Sequence, residues 1–201
     1  GLALRENSTA RVEGNLTLAD NAAESGAGGG LALHNSSRAV VAGVARVERN
    51  RCGAGGGAGA ELAGAAELRL LGERALFVSN VATGGSGGGI FARGAGSLVV
   101  ADGNITLRSN SAPDGAGGAL ALTDGARATL RGELHTRAND AARGGGVATL
   151  HGATLTCEAA TTLFANLANR SDGGAVLAEN RARVDFHGPT RCAGNPAPQG
   201  V

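Results

Sequence analysis

Few residues in this chain combine a reactive side chain with a spacing that chemistry could use. Asp102, Glu158, Asp185 and His187 fall near the same corner of a repeating pattern. Carboxylates gathered this way could cleave a glycosidic bond by acid–base action, or hold calcium beside a basic residue in a polysaccharide lyase. Here they are single residues on successive or distant repeats. The chain has no Lys to act as base and no Tyr or Trp to stack on a sugar. We expect solvated turn groups and assign no catalytic residue. Cys52, Cys157 and Cys192 lack the CxxC spacing of a zinc site. Cys157 and Cys192 fall at inward positions of different stacks and are expected as small core hydrophobes, with Cys52 in a loop. Glu24, Asp114, Asp140 and Asp172 place an acid in four of the loops, without the nine-residue spacing of calcium-binding β-rolls. No metal and no cofactor is expected.

Asn7, Asn15, Asn35, Asn104 and Asn169 each open an N-x-S/T sequon. Five is several times what this composition gives by chance. They are candidate N-glycosylation sites of a secreted protein, although strand alternation such as Asn15-Leu16-Thr17 accounts for part of the excess.

The composition narrows the function classes. Of 201 residues 36 are Gly and only 4 are Phe, and 18 Arg against 17 acids leave a net charge of +1. That excludes a polybasic nucleic-acid binder with aromatic platforms. The longest apolar run, residues 39–45 between Arg38 and Arg46, falls far short of the roughly 20 residues of a bilayer span. So much glycine with so little aromatic mass suggests disorder, and periodicity decides against it.

Three ladders share one period. Glycine runs precede an apolar residue at Leu31, Ala58, Ile90, Leu120, Val147 and Val176, with Leu2 opening the chain. A mid-repeat glycine recurs at Gly14, Gly43, Gly72, Gly103, Gly132 and Gly188, with Ala159 standing in once. An asparagine closes each unit at Asn21, Asn50, Asn80, Asn110, Asn139, Asn166 and Asn195. Each ladder spans 174 residues in six steps, a mean of 29. The units run 1–21, 22–50, 51–80, 81–110, 111–139, 140–166 and 167–195, with 196–201 as a loop-like end. The distance from Asn to the apolar mark is eight residues after Asn50 and Asn139 and ten elsewhere, so length variation gathers in that loop.

Within each unit apolar residues alternate, as in strands. Leu31 and Leu33 mark a first strand, Leu68 and Leu70 a second, Phe77 or Leu107 a third. Arg69, Arg131, Asp185, Thr17, Thr106 and His135 take outward positions. The expectation is all-β: a right-handed, single-stranded parallel β-helix solenoid of about seven coils of ~29 residues, with three short strands per coil. Runs of Gly in every unit argue against helical solenoids, where each would cost about 1 kcal/mol. The Asn ladder is expected to satisfy backbone groups at a corner. The mid-repeat glycine suits a tight corner or a close approach of backbones.

Gly117-Gly118-Ala119-Leu120, Gly173-Gly174-Ala175-Val176 and the endings Phe77 to Asn80, Leu107 to Asn110 and Leu163 to Asn166 resemble the GGA[ILV] and FxxN repeats of chlamydial polymorphic membrane proteins. Related β-helix surface proteins occur in other lineages, algae included. The resemblance covers all seven units and implies an extracellular passenger or adhesin. The chain starts midway through a glycine–apolar strand, and we expect a fragment of a longer solenoid. The functional expectation is a non-catalytic extracellular structural or adhesive repeat protein at a cell surface. Its expected partners are further coils or copies of similar proteins, with surface glycans as a further candidate; no nucleic acid and no membrane span is expected. The alternative is a pectin lyase-like polysaccharide-active enzyme or a glycan-binding module.

Overall fold

The computed structural model describes residues 1–198, and they form a parallel β-solenoid of seven coils without a helix. Three seven-stranded parallel sheets run the length of the rod. The first holds Leu2–Leu4, Leu31–His34, Ala60–Ala63, Ile90–Arg93, Leu120–Thr123, Val147–Leu150 and Val176–Glu179. The second runs from Thr9–Val12 to Arg183–Phe186 and the third from Leu16–Ala19 to Thr190–Ala193. Each strand pairs in parallel with the equivalent strand one coil away, so like positions stack: Leu68 on Val99, Phe77 on Leu107, Leu33 on Leu62. Seven rungs at about 4.8 Å make a rod roughly 34 Å long.

Inward side chains of the three sheets close on one narrow core of Leu, Val, Ile and Ala, with Phe77 its largest fully buried member. Small residues suffice because the three walls stand close together and each side chain packs on its own copy above and below.

A fourth parallel sheet was not expected from the sequence. Six short strands, Ala22–Ala23, Arg51–Cys52, Val81–Ala82, Ser111–Ala116, Asp140–Arg143 and Leu167–Ala168, follow the ladder asparagines. The loops that continue them fold back over the outer face of the first sheet. That face is therefore an interior. Cys52 packs with Ala58 and Ala82 in one small apolar cluster, and Ala116 with Ala148, Leu150 and Leu177 in another. Cys52 is thus a buried strand residue stacked between Ala23 and Ala82, not a loop residue.

Register corrects one mark of the repeat. Leu31 pairs with Ala60, and Ala60 with Ile90, so the third coil begins its strand at Ala60 and not at Ala58. The run Gly55-Gly56-Gly57-Ala58-Gly59-Ala60 offers two small-residue starts, and inward packing of Ala60 and Leu62 selects the second. The loop after Asn50 then matches its neighbours, and only the one after Asn139 is short.

Three kinds of corner use positive φ, one of them the turn into the first sheet, at Gly28, Gly57, Gly87, Gly117, Gly144 and Gly173. Between the first and second sheets two left-handed residues follow each other, as in Glu6 and Asn7, Asn35 and Ser36, or Asp124 and Gly125, the backbone of a primed turn, except in the fourth coil, where Gly94 and Gly96 flank Ala95. Before each ladder asparagine stands one more, at Asp20, Arg49, Ser79, Ser109, Ala138, Ala165 and Gly194, with φ between 52° and 59°. The mid-repeat glycines serve the remaining corner by proximity alone: their φ values are not positive, and a Cβ on Gly72 would lie 2.1 Å from the Gly43 carbonyl oxygen.

Candidate functional site

The corner between the second and third sheets brings Asp102, Arg131, Glu158 and His187 onto four successive coils, each amide bonding to the coil before it in matching register. Arg131 Nη1 donates to Asp102 Oδ1 at 2.6 Å. Asp102 first, and Glu158 to a lesser degree, raise the pKa of the Arg131 guanidinium. An arginine thus lies on the coil between the two carboxylates and is ion-paired to Asp102. Asp185 lies three rungs, roughly 14 Å, from Asp102 and is held by Arg183 at 2.7 Å. These residues form an exposed ion row, and no two of the carboxylates meet.

The loop acids are dispersed as well. Asp114 is ion-paired to Arg170 at 2.8 Å and Asp140 accepts a hydrogen bond from the Ser111 hydroxyl at 2.9 Å. Among the described residues no three His, Cys, Asp or Glu side chains converge as metal ligands.

One ionisable cluster escaped sequence reasoning. Glu61 occupies an outward position of its strand, where alternation expects solvent, and the fourth-sheet loops bury it completely. On the first sheet it lies between Ala32 and Phe91, diagonal to His34 on one side and Arg93 on the other. His34 Nε2 donates to Glu61 Oε2 at 2.8 Å. Arg93 Nη2 stands 3.2 Å from Oε1, an ion pair without the alignment of a hydrogen bond. A shallow cavity of about 470 Å³ opens beside them, bounded by Arg5, Ala32 and the glycine loop Gly26–Gly29. The His–Glu pair could orient a base, but the nearby nucleophile is silent: burial first, then Glu61, pushes the Cys52 thiol up to about 11. The cluster ties three consecutive coils together, as a buried charge kept by its partners.

The cysteines are all free. Cys157 stacks between Leu130 and Phe186 in the core, as expected, and burial pushes its thiol up to about 11. Cys192 stacks on Leu163 in the expected inward register, yet it is exposed because the last described coil has no further coil over it.

The asparagine column is the most regular polar feature. Asn80 donates from both its backbone N and its Nδ2 to Asn110 Oδ1, at 3.1 and 2.9 Å, while Nδ2 also donates to the Val47 carbonyl at 2.9 Å. The same pattern links Asn21 to Asn50, Asn50 to Asn80, Asn110 to Asn139, Asn139 to Asn166 and Asn166 to Asn195. Asn50, Asn80, Asn110, Asn139 and Asn166 are fully buried. The sequon asparagines differ: all five are exposed. Asn7 and Asn35 hold left-handed corners. Asn15 and Asn104 each cap the next coil through Oδ1, accepting from Val44 N and Glu133 N at 2.9 Å. Compared with models of protein families, with curated proteins and with solved structures, the chain matches none.

Proposed function

We propose that this chain is a non-catalytic extracellular rod, a structural or adhesive repeat segment of a surface, matrix or appendage. The observation that carries the reading is the asparagine column, unbroken across all seven coils, in a molecule where no three His, Cys, Asp or Glu side chains converge among the described residues. A solenoid held in phase by its own polar spine keeps binding surfaces at set distances, and it requires no site at which atoms rearrange. The sequence resemblance to polymorphic membrane protein repeats and the exposure of five sequons favour the same setting. In a glycosylating host, sugar on Asn15 or Asn104 would leave the capping Oδ1 in place, since attachment is to Nδ2.

The test is turnover. Incubated with polygalacturonate and with alginate, with and without calcium, the protein is expected to release no new reducing ends or unsaturated products. Release that disappears in Asp102→Asn or Asp185→Asn would replace this reading with that of a polysaccharide-active enzyme.

A further inference from the structure

The outer face of the third sheet changes character along the rod. On coils four to seven its two outward columns read Thr106, His135, Thr162, Arg191 and Arg108, Arg137, Phe164, Ala193, every neighbour in direct register. Many arginines elsewhere stand beside acids, Arg49 with Asp20, Arg131 with Asp102 and Arg183 with Asp185 among them; what sets this face apart is that two arginines without an acid are stacked directly on one another. Among the described residues Arg108, Arg137 and Arg191 have no carboxylate within ion-pair distance, and Glu133, the acid beside this face, is engaged by His135 Nε2 at 3.1 Å.

Arg108 and Arg137 are direct cross-strand partners. Like charges placed so are destabilising, and among the described residues no carboxylate stands within ion-pair distance to offset them. The Arg137 guanidinium lies over the Phe164 ring, 5.5 Å from its centroid. A cation–π contact of this kind steadies the guanidinium and leaves its N–H groups available to an oxyanion. Phe164 itself is 43% exposed, one of only two large apolar side chains so open among the described residues.

We infer that this strip binds a linear anionic polysaccharide carrying sulfate or carboxylate groups. The cations and the ring lie along the rod axis within three rungs, roughly 14 Å. A chain of charged sugars can follow such a line, its acid groups bridging Arg108 and Arg137 and a ring face resting on the open part of Phe164. A protein partner would need about 800 Å² of complementary surface, far wider than two side-chain columns. A nucleic acid would find three arginines and one ring, too few for the phosphate neutralisation and serial stacking that hold single strands. This inference rests on the rod reading and names the partner of its adhesive form.

The experiment titrates the full chain at low ionic strength with heparin, polygalacturonate, neutral dextran and poly(U). Heparin, polygalacturonate or both are expected to bind, to raise the melting temperature, and to weaken as salt is added. Arg108→Ala and Arg137→Ala should each weaken binding about tenfold, while Arg11→Ala and Arg49→Ala, paired arginines on the early coils, leave it unchanged. The inference falls if neither acidic polymer binds above dextran, if the two strip variants bind like wild type, or if poly(U) binds as tightly. Far-UV circular dichroism and melting of the free variants report on the rod separately, so a lost strip and a failed solenoid give different results.

Discussion

At the residue scale, position in the stack decides chemistry more than residue type does. Cys52, Cys157 and Cys192 are the same thiol in three environments, and the first two are held neutral by burial. Their values move from near 9.0 in the open chain to about 11 in the fold. A raised value means that the folded state holds the proton more tightly. The stability they contribute is therefore complete below about pH 9 and is lost as pH rises towards about 11. Urea unfolding followed from pH 8 to 10.5 should show stability falling more steeply in the wild type than in a Cys52→Ala/Cys157→Ala variant; equal slopes would refute it. The inward register of Cys157 was legible because it alternates with Thr156 and Thr154. The burial of Cys52 was not, since a two-residue strand has no period to read. Glu61 was invisible for a related reason: alternation assigns it outward, and only a loop from elsewhere in the coil makes outward mean buried.

At the scale of elements, the asparagine column behaves as a single spine whose links differ by location. Removing the Asn110 side chain strands inside the protein the backbone N–H of Asn80 and one of its two Nδ2 protons (the other stays on the Val47 carbonyl), and breaks the bond to the carbonyl of Phe77. At about 1–3 kcal/mol for each buried group left unmatched, Asn110→Ala should cost at least about 3 kcal/mol. Asn21 is only partly buried, donates to Asn50 and closes a local bond to the Ala19 carbonyl. Asn21→Ala should cost about 1 kcal/mol or less. Denaturant midpoints of the two variants measure the gradient, and equal losses would show that the column is not a cooperative spine. The sequence exposes this ladder because each position asks for an amide that both donates and accepts on an arm short enough to reach its neighbour's backbone, and Asn meets that demand. The left-handed residue just before each asparagine stayed hidden: Asp, Arg, Ser, Ala and Gly all occupy it. Neighbouring coils impose that backbone, so no common side chain marks it.

For the whole molecule, each coil touches chiefly the coils above and below it, so stability is close to a sum over coils and their interfaces. Excising residues 111–139 would join Asn110 to Asp140 and bring two like rungs together in phase. The shortened chain should fold, with the strand signature retained in circular dichroism and a denaturant m-value lower by about one-seventh. Collapse to an unfolded chain would mean that one coil, and not the repeat, nucleates the rod.

The sequence by itself determined the period, the asparagine column, the close-approach glycines and the inward residues of three strands. These follow from rules that act between a residue and its own copies, and such rules repeat in the sequence as they repeat in space. Only the tertiary structure decided the fourth sheet, the start of the third coil at Ala60, the burial of Glu61 and the unpaired strip of Arg108, Arg137 and Phe164. Each depends on which distant segment covers a face or leaves it bare, and that contact leaves no period in the chain.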